Sequence, residues 1–253
     1  MSPMRLFCCI TLALLATAAA PASAQTSPVQ STRHSMWLVY GGDHSITEHV
    51  GLVFDSQLRL TGNGDHERQL LVRPGISYAL MPRLKLSAGY TLVESRDDAN
   101  DPLTPTTPEH RAWFSAQLAH DLGRVSFAHR YRYEHRWLPG VRVDDAGAPI
   151  GQTHVGAERL RYSLKASVPV AMVGSHALYF SASDEVFASF GGYAGDLAFD
   201  QNRASMAVGI RMSPRLRVEA GYMLQSSADD AGRFTERNHT LQIGATSTAS
   251  FRR

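Results

Sequence analysis

Cysteine and long hydrophobic runs are the two features that this sequence most lacks. Its only cysteines, Cys8 and Cys9, lie within the first 24 residues. Beyond that point no continuous apolar run approaches the roughly 18 residues of a transmembrane helix. We therefore expect no disulfide, no thiol catalysis, no cysteine-ligated metal and no membrane-spanning helix in the rest of the chain.

The first 24 residues have the composition of a secretory signal. Arg5 precedes an apolar stretch, and residues 22–24, Ala-Ser-Ala, have the small-x-small form of a cleavage site. We predict a cleaved signal peptide over 1–24 and one mature domain over 25–253. A lipoprotein would carry a cysteine where Gln25 stands, so the sequence predicts export without a lipid anchor.

The rest of the chain alternates in character, most clearly between Arg124 and Leu138. A β-strand sends successive side chains to opposite faces. One parity here is polar and mostly cationic, namely Arg124, Ser126, Ala128, Arg130, Arg132, Glu134 and Arg136. The other parity is apolar and aromatic, namely Val125, Phe127, His129, Tyr131, Tyr133, His135 and Trp137. A helix would mix the two sets, so the pattern predicts a strand with one charged and one aromatic face.

Ten segments of the chain follow this two-residue period. They cover 47–60, 68–80, 83–95, 109–121, 124–138, 156–168, 176–189, 201–212, 215–227 and 238–251. Tight turns alternate with longer connections rich in Asp, Gly and Pro, over 96–108, 139–155, 190–200 and 228–237. This asymmetry is typical of an outer-membrane barrel, with short turns in the periplasm and long loops outside the cell.

The number of strands depends on the piece from Met36 to Gly42. It either extends the first strand through a kink at Gly41-Gly42, giving ten strands, or forms its own strand, which requires another elsewhere and gives twelve. Ten is even, as two periplasmic termini require. We expect a single all-β, antiparallel transmembrane β-barrel of about ten strands, with twelve as the alternative. A secreted β-sandwich is disfavoured, because it would expose rows of arginine.

In such a barrel the polar parity faces the lumen and supplies a candidate charged network. Its predicted members are Arg73, Glu109, Arg111, Arg130, Arg132, Glu134, Arg136, Arg159, Arg161, Glu185, Arg203, Arg217 and Glu219. Charges removed from water need partners, and a guanidinium can grip a carboxylate through two bonds. The favoured hypothesis is a narrow structural barrel held by this network. A small anion-binding or anion-conducting pore is the alternative, with its anion near Arg130, Arg132 and Arg159.

Short motifs run through nearly the whole chain in order. They are Trp37, Gln69–Gly75, Gly89-Tyr90, Glu109–Arg111, Arg130–Arg136, Glu158–Tyr162, Asp184–Phe187, Phe199–Arg203, Glu219–Tyr222 and Asn238-His239. Through them the sequence resembles the domain of unknown function 2490, a family of proteobacterial outer-membrane β-barrel proteins. The resemblance implies a barrel in the cell outer membrane of a Gram-negative bacterium. It implies no reaction, because the family has no established activity.

An outer-membrane lipid hydrolase is the second alternative for function. Such an enzyme places a Ser–His pair on the outer surface of its barrel. His34 and Ser35 are adjacent and would face opposite ways on a strand. His129 and His135 lie on the outward parity, where an interfacial aromatic belt is the simpler interpretation.

Catalytic and cofactor motifs are otherwise missing from the sequence. His44 and His49 flank Glu48 without the spacing of a metal site, and there is no HExxH motif. We expect no catalytic residue, metal, cofactor or nucleic-acid partner. The expected partners are outer-membrane lipid, a small anion, and the outer-membrane assembly machinery, which reads a last strand with a near-terminal aromatic residue such as Phe251.

Overall fold

The computed structural model describes residues 31–62, 67–96, 107–146, 149–192, 198–228 and 234–251. Within these ranges the chain forms eleven strands: β1 (Ser31–Ser45), β2 (Val50–Thr61), β3 (Glu67–Met81), β4 (Leu84–Arg96), β5 (Thr107–Leu122), β6 (Val125–Val143), β7 (Pro149–Val173), β8 (His176–Phe190), β9 (Ala198–Ser213), β10 (Leu216–Ala228) and β11 (Phe234–Ser247). The predicted signal peptide over 1–24 lies outside the described residues.

The sheet closes into a barrel because β1 pairs with β11. Strands that follow each other in the chain are antiparallel, whereas the closing seam is parallel, from Ser31 opposite Glu236 to Gly42 opposite Ser247. Closure leaves neither strand with a free edge. The expectation of a single all-β barrel is confirmed. Among the described residues the strand number is eleven, however, in place of ten or twelve.

The difference in strand number arises at Met36 to Gly42. This piece lies within β1, which passes through Gly41 and Gly42 without a break and reverses into β2 over 46–49. It is therefore a strand of its own, and the parallel seam closes the barrel without a twelfth strand. The odd number of strands places the start of β1 and the end of β11 at opposite ends of the barrel. The prediction of an even strand number, which assumed that both termini lie in the periplasm, is therefore wrong.

The ten predicted segments correspond to β2 through β11 within a few residues, except around 139–155. This stretch was predicted as a loop because of its Pro and Gly, but β6 and β7 pair through most of it, as far as Val143 opposite Pro149. Pairing with β5 and β8 stops at Trp137 and Glu158. The β6–β7 hairpin therefore projects as a two-stranded ribbon. A ribbon strand tolerates proline because one of its edges is unpaired.

The two ends of the barrel differ in their connections. At one end, two-residue turns lie at 82–83, 123–124, 174–175 and 214–215. Gly123 and Gly174 have φ values of +61° and +60°, which side chains with a Cβ rarely adopt, and this permits the tight reversal. At the other end the chain connects over 97–106, 144–148, 191–197 and 229–233. We call these the short-turn end and the long-loop end.

Alternation along the strands separates an apolar outer face from a mixed interior. Large apolar side chains point outward, among them Ile76, which is 62% exposed, and Met206, which is 56% exposed. The buried apolar residues lie on the inward parity: Trp37, Leu71, Val93, Trp113, Ala157, Phe187 and Met223. In the described ranges no helix is long and apolar enough to cross a membrane. The core of the protein is thus the middle of its lumen.

Candidate functional site: a charged layer across the lumen

Glu134 lies at the centre of the lumen and is 0% exposed. Four guanidinium groups surround its carboxylate, with nitrogen–oxygen distances of 2.8 Å for Arg161, 3.6 Å for Arg111, 3.8 Å for Arg73 and 3.9 Å for Arg132. The five side chains come from β3, β5, β6 and β7. One carboxylate therefore ties four strands together across the interior. We call these five residues the Glu134 layer.

Glu185 extends the layer toward the opposite wall. Its Oε1 accepts hydrogen bonds from Arg130 Nη2 and from Arg161 Nη2, both at 2.9 Å. Nearer the short-turn end, Lys165 donates to Glu219 at 2.7 Å. Because Arg161 contacts both Glu134 and Glu185, removing it would leave two buried carboxylates short of a partner.

Carboxylates also pair with the arginines toward the long-loop end. Glu109 accepts a hydrogen bond from Arg111 Nε at 2.9 Å and one from Arg136 Nε at 2.5 Å. Arg159 Nη2 donates to Asp200 at 2.7 Å. Charge-assisted bonds of this kind are stronger than bonds between neutral groups. A buried arginine–glutamate network is therefore present, and ion pairs connect nine of the thirteen predicted residues: Arg73, Glu109, Arg111, Arg130, Arg132, Glu134, Arg136, Arg161 and Glu185. Arg159 and Glu219 form separate ion pairs, with Asp200 and Lys165.

Aromatic rings inside the lumen were not predicted. The distances from guanidinium Cζ to ring centroid are 4.0 Å for Arg59 on Trp37, 5.0 Å for Arg203 on Trp37, 4.9 Å for Arg132 on Trp113 and 4.6 Å for Arg161 on Phe187. These are cation–π contacts, which hold a guanidinium without neutralising its charge. The alternation does indicate that these rings point inward, because Trp113 follows the inward Arg111 by two residues and Phe187 follows the inward Glu185 by two.

Two glycines make room for the Trp113 ring. Gly75 pairs with Gly89, and Gly89 pairs with Trp113 on the next strand. A Cβ at Gly89 would lie 2.2 Å from the Pro74 carbonyl oxygen and 2.7 Å from the ring, and one at Gly75 would lie 2.6 Å from the ring. All three distances are too short for real atoms, so the ring occupies a slot that only glycine provides.

Cavities lie on both sides of the Glu134 layer, and we call them chambers. A cavity of about 650 Å³ lies on the long-loop side, and we call it the upper chamber. Two cavities of about 290 Å³ each lie on the short-turn side and share lining residues, and we call them together the lower chamber. Trp37, Arg161 and Arg203 line both the upper chamber and part of the lower one. These side chains, with the layer, form the partition.

The predicted network residues are distributed between these levels. The upper chamber is lined by Glu109, Arg111, Arg136, Arg159, Arg161 and Arg203, and the lower by Arg73, Arg130, Arg132, Arg161, Glu185, Arg203, Arg217 and Glu219. The three residues near which the sequence analysis places an anion therefore do not line one cavity. Arg159 lines the upper chamber, whereas Arg130 and Arg132 line the lower one.

Arg217 differs from the other predicted network residues. It is exposed near the short-turn end and lines the lower chamber. Among the described residues it forms no ion pair, so the structure does not join it to the network that the sequence predicted. Its strand position explains this, because it is the second residue of β10 and lies close to the barrel rim.

The outward histidines contact tyrosine and glutamate. Tyr133 Oη donates to Glu158 at 2.5 Å, and His135 Nδ1 lies 2.6 Å from the other oxygen of the same carboxylate. His129 Nδ1 lies 2.9 Å from Tyr162 Oη. Within the described strands no serine hydroxyl bonds to a histidine ring. These strands therefore supply no Ser–His pair for the lipid-hydrolase alternative.

Fold and site together define an outer-membrane type of closed β-barrel with a buried arginine–glutamate network. The family described as protein of unknown function (DUF2490) matches residues 34–236, and the chain belongs to this family. This membership confirms the resemblance drawn from the sequence motifs.

Comparison with known proteins adds two distant likenesses. The chain is similar to the β domain of the Bordetella autotransporter Brka, with 13% identity over 72% of this chain and 76% of that one, at a TM-score of 0.46. It is also similar to the porin NanC, with 11% identity over 81% of this chain and 89% of that one, at a TM-score of 0.46. No curated protein matches the chain.

Proposed function

We propose that this protein is a barrel of the Gram-negative outer membrane whose lumen is closed, and that its buried network holds the barrel's shape. The outer face supports the location. Large apolar side chains are exposed around the barrel, for example Leu70, Ile76, Phe114, Leu160, Met206 and Leu241. So extensive an apolar surface is unfavourable in water and favourable in lipid. By the usual arrangement of outer-membrane barrels, we place the short-turn end in the periplasm and the long loops outside the cell.

Aromatic and histidine pairs near both ends of the outer face support the same location. Tyr222 Oη and His239 Nδ1 are 2.5 Å apart on the long-loop half, where Tyr90 also contacts His110. Near the short-turn end, the rings of His120 and His129 stack at 5.1 Å between centroids. Amphipathic rings favour the two interfaces of a bilayer, so these pairs fit the girdles of a membrane barrel.

The observation that carries the closed lumen is the complete burial of Glu134 among four guanidinium groups. Opening a channel at this level would separate these charges or remove some of their partners. Breaking a buried ion network leaves an uncompensated charge, which costs about 3–5 kcal/mol. The layer is therefore a stable partition, and shape maintenance is the role that its geometry supports best.

Electrical recording of the refolded mature protein in a planar bilayer tests this proposal. The wild-type protein should give no stable conducting steps, since the Glu134 layer blocks the path. Heat-dependent migration in gel electrophoresis would establish that the same sample is folded. Stable, long-lived openings from the folded wild-type protein would contradict the closed lumen.

Anion binding is a second candidate, and the charge of the upper chamber favours it. Nine arginines and three carboxylate residues line this chamber within the described part of the chain. An excess of cationic groups in a confined space attracts anions. Because the Glu134 layer blocks the path below this chamber, an anion would bind within the chamber and would not pass through the barrel.

A further inference from the structure

Arg59 and Arg203 are half-buried, and they differ from the other half-buried or buried arginines of the upper chamber. Neither forms an ion pair with any carboxylate in the described residues. Arg59 instead donates to Gln57 Oε1 at 2.5 Å and to Gln69 Oε1 at 2.7 Å, and Arg203 Nε donates to Gln225 Oε1 at 3.1 Å. Neutral amides orient a guanidinium but supply no counter-charge, although Glu185, opposite Arg203 in the sheet, attracts Arg203 from beyond ion-pair distance. The two side chains are thus fixed in place and still positively charged.

Trp37 links these two arginines. Its ring centroid lies 4.0 Å from Arg59 Cζ and 5.0 Å from Arg203 Cζ, so the two Cζ atoms are no more than about 9 Å apart. Trp37 is 5% exposed, and its Nε1 is buried without a hydrogen-bond partner among the described groups. A buried donor without an acceptor is unfavourable, and two neighbouring like charges repel. A bound anion would relieve the repulsion.

The other non-exposed arginines of the chamber do not share this property. Arg136 pairs with Glu109, and Arg159 pairs with Asp200. Their charges are already balanced by carboxylates, so an anion would have to compete with an existing partner. Among the described residues, Arg59 and Arg203 are therefore the non-exposed arginines of the chamber that have no ion pair.

We infer that Arg59, Trp37 and Arg203 form a binding site for a small organic oxyanion that carries two negative groups, carboxylate or phosphate. Planar guanidinium groups bind such groups through paired hydrogen bonds. A cavity of about 650 Å³ is within the size range of small-molecule sites. The inference rests on the proposed closed lumen, because the chamber then ends at the Glu134 layer and retains its ligand.

Titration calorimetry of the full mature chain, refolded in neutral detergent at low salt, tests this site. Pyrophosphate and citrate serve as probes of the two chemistries, and acetate serves as the singly charged comparison. The wild-type protein should bind at least one of the first two more tightly than acetate. Preference for pyrophosphate would assign the site to phosphates, and preference for citrate would assign it to carboxylates.

The Arg59→Gln/Arg203→Gln variant should weaken that binding by about 100-fold, because each charge-assisted contact contributes roughly tenfold. Arg211→Gln removes an exposed inward arginine near the short-turn end and should leave affinity unchanged. If the double variant does not fold, Arg59→Gln alone should weaken binding about tenfold.

No binding by the wild-type protein, or equal affinities in the wild type and the charge-removed variant, would overturn the site. Neither result would affect the closed lumen, which electrical recording tests separately. A conducting wild-type protein, in turn, would contradict the closed lumen whatever calorimetry shows.

Discussion

The Glu134 layer and the wall around Trp37 are built from the same kinds of side chain, but their charges are balanced differently. In the layer, a carboxylate that is 0% exposed faces four guanidinium groups. At Trp37, two guanidinium groups face an indole ring and neutral amides. The difference indicates that shared ion pairs lock one level of the lumen, whereas arginines without an ion pair leave the other level able to bind.

Removing the central carboxylate should give the largest effect. Glu134→Gln keeps the shape of the side chain but leaves four buried arginines without their shared partner. We expect a loss of about 3–5 kcal/mol in the free energy of unfolding. Denaturant unfolding in detergent micelles, followed by tryptophan fluorescence, measures it.

Glu236→Gln is the matched control for this variant. Its carboxylate lies 3.7 Å from Arg33 in a partly exposed pair near the long-loop end. Exposed pairs contribute little, so a loss of at most about 1 kcal/mol is expected. Equal destabilisation by the two substitutions would show that the Glu134 layer has no special role.

Filling the slot beside Trp113 should have the next largest effect. Gly89→Ala forces a Cβ against the Pro74 carbonyl and the ring, and overpacking of this kind costs about 1–3 kcal/mol. Gly41→Ala is the control, because its Cβ would lie 3.6 Å from the nearest atom, on Thr246. The same unfolding experiment compares them, and a loss at Gly41 as large as that at Gly89 would contradict the slot.

Removing an arginine that has no carboxylate partner should have a smaller effect. Arg203→Gln is expected to change the free energy of unfolding by no more than about 1 kcal/mol, because no buried carboxylate loses an ion pair. Arg161→Gln should cost about 3–5 kcal/mol, since both Glu134 and Glu185 lose a donor. Similar losses in the two variants would remove the distinction between the two levels.

The smallest effect is expected on the outer face. Asp184 points outward and accepts hydrogen bonds from Asn202 Nδ2 at 2.7 and 2.9 Å. Asp184→Ala removes a carboxylate from the outer surface that we propose to face lipid, so stability in vesicles should stay within about 0.5 kcal/mol of the wild type. A loss well above 1 kcal/mol would mean that this face contacts protein and not lipid.

Alternation made the strands and their faces predictable from the sequence. A two-residue period indicates which side chains share a face of a strand. Most of the arginine and glutamate residues of β6 and β7 share the inward parity of their strand. The pairing partners could not be predicted, because the height of each residue in the lumen depends on register. Arg159 and Arg130 share the inward parity of neighbouring strands and nevertheless line different chambers.

Closure and the inward rings were harder to predict for a different reason. The parallel seam joins β1 and β11, which are far apart in the chain, and no local pattern encodes that contact. Trp113 and Phe187 lie on a parity that the sequence otherwise fills with polar residues. Apolar side chains were assigned to the lipid face, but an inward ring is stable here because guanidinium groups pack against it.

Thiol labelling from one side of the membrane tests the closed lumen most directly. Single cysteines replace Ser95, which lines the upper chamber, and Thr246, which lines the lower one. A small membrane-impermeant maleimide added to intact Gram-negative cells should label Ser95→Cys but should label Thr246→Cys only after the outer membrane is permeabilised. Equal labelling of both positions on intact cells would show that the Glu134 layer is open and would contradict the account.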